Sequence, residues 1–265
     1  MTGDFWSTRF GRVLNVIVML GVVFAVWEAL VMAFQIRAFL LPAPSMIFAA
    51  LWADPGFYLR HTAETLGETA LGFAAAVVLG TVMAVGVISS RFVEQTLYTL
   101  LIALHSIPKI ALAPLFIIWL GTDLQPKVAI AMLIAIFPIV IDTVLGLRTV
   151  DPDMLDLARS LRGPKRMILW KIRFPSALPS MFAGFKVGIS MAFSGAIVGE
   201  FVSSQAGLGY LIISSQASFD TTRMFAAMIL LAVVGTALFF IMEFTEGAVI
   251  PWHVSRRRPG GPAGH

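Results

Sequence analysis

The side chains of this sequence that could do chemistry are few, and their spacing argues against catalysis. With no cysteine, the chain can form neither a disulfide nor a thiolate metal site nor a thiol nucleophile. The four histidines, His61, His105, His253 and His265, are scattered and make no HExxH or comparable ligand spacing. There is no GxxxxGK[ST] phosphate loop, no GxSx string with a usable histidine, and no run of clustered carboxylates. The sequence therefore predicts a non-catalytic chain that binds no metal and no cofactor of its own.

What stands out instead are polar groups set in apolar stretches. His105 and Lys109 are four residues apart, on one face if the segment is helical, and a cation in hydrocarbon costs at least a few kcal/mol unless it meets water or a partner. Lys109 would suit an anion, and would equally suit a carbonyl freed by Pro108 or Pro114. Glu200 ends another apolar run, while Glu28 and Asp142 read as structural. Ser190 and Ser194 lie among Gly184, Gly188, Gly195 and Gly199, small residues that allow close helix contact or leave room for a solute.

The elements that must hold these residues follow from composition. The 265 residues are 58% hydrophobic and 13% charged, more apolar surface than one soluble core can bury. Counting runs of about 20 apolar residues gives six spans. They are Val13–Phe34, Leu66–Ile88, Leu97–Leu120, Val128–Leu147, Met181–Phe201 and Met224–Ile250, with Pro108, Pro114 and Pro138 expected to kink spans three and four. No small-residue cleavage pattern follows the first run, so it reads as a retained anchor.

Arginine and lysine set the orientation. With the amino terminus inside, fourteen basic residues face the cytoplasm and Arg37, Arg60, Lys127 and Arg223 lie outside. A basic surface for nucleic acid is thereby excluded, because the charge tracks membrane sidedness. Residues 1–12 and the disordered tail 256–265 are expected in the cytoplasm, flanking a six-helix membrane domain over 13–255. The outer segment Gln35–Thr65 holds LPAPSMIFAAL at Leu40–Leu51, read as a short helix at the outer surface.

The loop 148–179 between spans four and five is the most informative segment, since eight of the nineteen basic residues lie between Arg148 and Lys186. Met154, Leu155, Ala158 and Leu161 recur at helical spacing. Gly163-Pro164 then breaks the helix, with the glycine expected in the left-handed C-terminal position. A second short helix over roughly Lys165–Ile172 is expected to end before Phe174-Pro175, with Pro179 opening span five. The pair forms a cytoplasmic elbow leading into that span.

The run Asp156-Leu157-Ala158-Arg159-Ser160-Leu161-Arg162, followed after nine residues by Ile172-Arg173-Phe174-Pro175, resembles the EAA loop of binding-protein-dependent ABC importer permeases. The motif's spacing is kept throughout, while Asp156 replaces Glu, Leu157 replaces Ala, Arg162 stands where Gly is usual, and Phe174 replaces Leu. The strings LPAPSMIFAAL, Ile107–Leu115, Trp119-Leu120-Gly121, Gly146-Leu147-Arg148, Gly199-Glu200-Phe201 and Gly207–Leu211 are similar to those of the nitrate, sulfonate and taurine subgroup.

The resemblance implies an all-α, type I ABC importer permease fold with six membrane helices and a two-helix coupling loop. It further implies that Asp156, Leu157, Ala158, Arg159, Leu161, Arg162, Gly163, Pro164, Ile172 and Pro175 seat on an ABC ATPase. The implied partners are two copies of that ATPase carrying ATP and Mg, an extracytoplasmic solute-binding protein, and a second copy of the permease in a bacterial inner membrane. His105, Lys109, Ser190, Ser194 and Glu200 become candidates for the translocation pathway of a small solute, expected to be an anion, with a thiamine-precursor or flavin-like solute as the alternative. A stand-alone carrier or channel would show an inverted repeat or paired midplane charges, and neither is visible in the sequence.

Overall fold

In the structure, a computed structural model, residues 9–96, 100 and 107–252 are described, with backbone only for 9–13 and for Arg159. His105, residues 1–8 and the tail 256–265 lie outside the described residues, as does much of expected span three. The described residues are mostly helical, with no strand among them. Helix α1 is Arg9–Ala33, α2 is Pro44–Ala53 and α3 is Pro55–Ser89. A 3-10 turn at Lys109–Leu112 precedes α4 (Ala113–Leu120), and α5 spans Leu124–Arg148. The loop region contributes α6 (Pro152–Ser160) and α7 (Lys165–Ile168), and a π turn at Leu169–Arg173 leads into α8 (Phe174–Ser203). Helices α9 (Leu208–Ala217) and α10 (Thr221–Val249) complete the chain.

Five helices among the described residues are long and apolar enough to cross a membrane. They match spans one, two, four, five and six, with different ends. Helix α3 begins eleven residues before Leu66: Pro55 occupies its first turn and the Asp54 side chain accepts the Phe57 N–H at 3.0 Å. Arg60, His61 and Glu64 in those early turns hid the helix from a hydropathy count. Span three is not one helix in its described part, because Pro108 and Pro114 set a 3-10 turn and then the start of α4. Helix α5, in contrast, runs through Pro138.

Two expectations for the loop are corrected. The second helix does not stop before Phe174-Pro175, and Pro179 lies inside α8 instead of opening it. The π turn explains this continuity: the Phe174 N–H reaches back five residues to the Leu169 carbonyl, so the ladder is already re-registered where Pro175 offers no donor. The left-handed residue is Arg162, at φ 54°, and not Gly163. The Gly163 N–H closes the end of α6 on the Ala158 carbonyl at 3.0 Å, a Schellman closure with Arg162 in the position glycine usually takes.

The core is built on α5, which is gripped from both sides. Ala131 is approached by Gly72 of α3 and Gly195 of α8, and Ile139 by Gly80 and Gly188. A Cβ on Gly195 would lie 2.7 Å from the Ala131 Cα, and one on Gly199 2.9 Å from the Lys127 Cα. Small residues are what permit such approach where lipid gives helices no solvent drive to associate. Ala76, Ala135, Ala192 and Ala196 fill the same seam. Toward the other end of α5, Leu147 packs with Ala84, Ala177 and Met181. Helix α1 stands apart with nearly its whole surface exposed, joined to α2 where Glu28 accepts the Ser45 N–H at 3.0 Å and its hydroxyl at 2.7 Å.

Gly195→Ala should lower stability by about 1–3 kcal/mol, because backbone of α5 must move to admit the methyl group. Gly67→Ala is the control, as nothing lies within 4 Å of a Cβ there, and it should be neutral or stabilising by up to about 1 kcal/mol. Thermal unfolding midpoints in one detergent compare the two, and equal midpoints would reject the close-contact account of the seam.

Candidate functional site

Two constellations stand at opposite ends of the bundle. The first is the elbow of α6, α7 and the π turn, beyond the end of α5. Helix α6 turns Met154, Leu157 and Leu161 outward along one face, Leu157 at 63% and Leu161 at 74% exposure. Together with the buried Ala158 they form one wall of an open apolar groove of about 290 Å³, whose other wall is Met167, Lys171 and Ile172. Arg173 ties the elbow to the bundle by donating to the Leu147 carbonyl at 3.4 Å.

Of the residues expected to couple, Asp156, Leu157, Leu161, Arg162, Pro164 and Pro175 are exposed and Gly163 and Ile172 half-buried, whereas the Arg159 side chain lies outside the described residues. An exposed apolar ridge framed by Arg162, Lys165, Arg166 and Lys171 is out of place in water.

The second constellation sits where α3 and α5 begin and α8 ends. His61, Thr65 and Glu68 share one face of α3, and all are buried. Lys127 of α5 donates to Glu68 at 2.6 Å and to the Ser204 hydroxyl at 2.9 Å. Glu200 of α8, 2% exposed, accepts from the Thr65 hydroxyl at 2.6 Å and from the backbone N–H groups of Gly209 and Tyr210. The Leu208 N–H donates to the Thr65 oxygen at 2.9 Å and the Gly207 N–H to His61 Nδ1 at 3.0 Å. Four consecutive N–H groups at the start of α9 thus find acceptors on α3 and α8, and the carboxylate adds charge complementary to a helix amino terminus. A side chain at Gly207 would run into the Glu200 carboxylate, and φ at that residue is +107°.

Glu200 is therefore committed to fastening α9 and does not share a face with the two serines. Ser190 and Ser194 are exposed on α8, away from its glycine seam, with hydroxyls turned to their own helix at Lys186 and Ser190 carbonyls, 3.3 and 3.0 Å away. Lys109 is half-buried at the head of its 3-10 turn and engaged in an interaction. Sequence reading missed His61, Thr65, Glu68, Lys127 and Ser204 as a group. One signal was present: Glu68 is an acid inside an otherwise apolar run, which in a membrane chain demands a partner.

The chain is similar to proteins already known. Residues 76–251 match the family described as binding-protein-dependent transport system inner membrane component. The riboflavin transport system permease protein RibX of Chloroflexus aurantiacus is 34% identical over 91% of this chain and 90% of its own length. A putative aliphatic sulfonates transport permease protein, SsuC of Bacillus subtilis, is 30% identical over 88% of this chain and 86% of its own. Among solved structures, a chain of the MetNI methionine ABC transporter in an inward-facing conformation superposes with a TM-score of 0.63, covering 79% of this chain and 98% of that one at 19% identity.

Two outcomes follow from the geometry. Lys127→Met strands Glu68 without its cation in a buried setting and should cost about 3–5 kcal/mol, most of it recovered by adding Glu68→Leu; unfolding midpoints of the single and double variants measure this, and no recovery would mean the pair is not what matters. Arg162→Gly should stabilise the elbow by about 0.5–1 kcal/mol by removing the left-handed strain of a side-chain-bearing residue, read as slower proteolysis of the loop.

Proposed function

Since the chain belongs to the family of inner membrane components of binding-protein-dependent transport systems, as a permease subunit of an ABC importer, we propose that its elbow is the surface through which a separate ATPase drives it. Two permease copies would enclose the pathway, two ATPase copies would bind ATP and Mg beneath them, and an extracytoplasmic solute-binding protein would deliver cargo. The exposed ridge of Met154, Leu157 and Leu161 carries this reading. It is an apolar strip on a loop rich in basic residues, placed at the end of a helix continuous with α8, so a partner seated there moves membrane helix and elbow together. The sequence holds no phosphate loop of its own.

The positive excess of the elbow supports a cytoplasmic location for it and for both termini in a bacterial inner membrane. The cargo reading is a small anionic solute of the nitrate, sulfonate or taurine type, supported by similarity to a sulfonate permease and by Lys109 on the interrupted span three. A flavin-like or thiamine-precursor solute is the second reading, favoured by the 34% identity to a riboflavin permease. A ligand screen on the cognate solute-binding protein separates them.

Leu161→Glu puts a carboxylate on the ridge without touching the bundle. It should abolish co-purification of the ATPase and transport-linked ATP hydrolysis while leaving membrane insertion and the unfolding midpoint unchanged. Normal coupling in that variant would sink the docking assignment. A cysteine introduced at Ser160 in this cysteine-free chain should react with membrane-impermeant maleimide from the cytoplasmic side alone, and reaction from outside alone would reverse the orientation.

A further inference from the structure

The buried end of α9 holds a titratable acceptor that the transport reading does not use. His61 is 8% exposed, and its Nδ1 accepts the Gly207 N–H at 3.0 Å. An imidazole can accept there only while neutral, because the imidazolium has N–H on both nitrogens. Protonation would set one N–H against another. Gly207 has little freedom to turn aside, being held at φ +107° with the Glu200 carboxylate against it. We propose that His61 is an acid-sensitive latch: neutral, it fastens Gly207 at the amino terminus of α9 to α3, and protonated, it frees that first residue and leaves the terminus on the Thr65 and Glu200 acceptors alone.

On its own helix the ring has Arg60 and Glu64 as charged neighbours and touches the Phe57 ring, centroids 4.6 Å apart. Arg223 approaches from α10 and stacks over Phe57 at 5.3 Å. Tyr210 of α9 stacks on the imidazole at 6.1 Å. From α8 comes Glu200, already satisfied by Thr65, Gly209 and Tyr210, and from α5 Lys127, already paired with Glu68. Arg223 is itself paired with Asp220 at 3.5 Å, so the uncommitted charges beside the ring are Arg60 and Glu64, one of each sign. With Gly207 unfastened, the first turn of α9 loses an acceptor and the packing of Leu208 and Leu211 against Ile47, Tyr58 and Ala227 loosens. That the acid arrives from the extracytoplasmic side rests on the topology proposed above; the latch does not.

Hydrogen exchange on the permease–ATPase complex in nanodiscs, where both faces see the same buffer, tests the latch apart from topology. Lowering the pH from about 8 to about 5 spans histidine titration. Corrected for intrinsic exchange chemistry and referred to segment 130–140 of α5, exchange in segment 205–217 should rise roughly tenfold in the wild type. His61→Gln supplies an amide oxygen that accepts without titrating, so its exchange should stay slow at both values. An equal rise in His61→Gln overturns the proposal. So does a pH-invariant wild type, which decides the matter even if the variant fails to assemble. A reversed result in the Ser160 labelling, with the exchange pattern as expected, would discard the topology and keep the latch.

Discussion

Contact distance along α5 is the constraint on which the molecule depends. In lipid, apolar side chains gain nothing by leaving one hydrocarbon for another, so helices hold together only where their surfaces come close. Gly72 and Gly80 on one side and Gly188 and Gly195 on the other let α3 and α8 reach the same two residues, Ala131 and Ile139. With α5 so pinned, the positions of its two ends follow. Lys127 is delivered to the polar cluster at one end, and Leu147 to the Arg173 contact at the other.

The two ends solve opposite problems. At the α9 end the difficulty is an excess of buried polarity, answered for the most part internally: Glu68 has Lys127 on one oxygen, its Oε2 being left without a partner, and Glu200 has a hydroxyl and two backbone donors. Such groups are costly unless paired, so the pairing also specifies where α9 must lie. At the elbow end the difficulty is exposed apolar surface, Met154, Leu157 and Leu161, which nothing among the described residues covers.

Local signals carried far in this sequence. Hydropathy placed five of the long helices, and the recurrence of Met154, Leu155, Ala158 and Leu161 with the Gly163-Pro164 break placed α6 and the turn after it. What local signals missed has physical causes. The start of α3 was hidden because Arg60, His61 and Glu64 dilute its hydropathy, although Asp54-Pro55 is a start signal. Helix α9 was missed because it is short and framed by glycines, its stability coming from acceptors on other helices. The left-handed residue was assigned to Gly163 because glycine favours that conformation, yet the Schellman closure placed it one residue earlier, on Arg162. The polar cluster joins residues as far apart as Thr65 and Glu200, separated by 135 positions, and no window on the sequence spans that.

The continuity of α7, the π turn and α8 has a mechanical meaning. Thirty-nine residues without a break, Lys165–Ser203, make a rod about 58 Å long, nearly twice the thickness of a hydrocarbon core. Held against α5 from Ala177 to Gly199, such a rod joins the α9 anchorage at one tip to the elbow at the other, so the two ends share one rigid member.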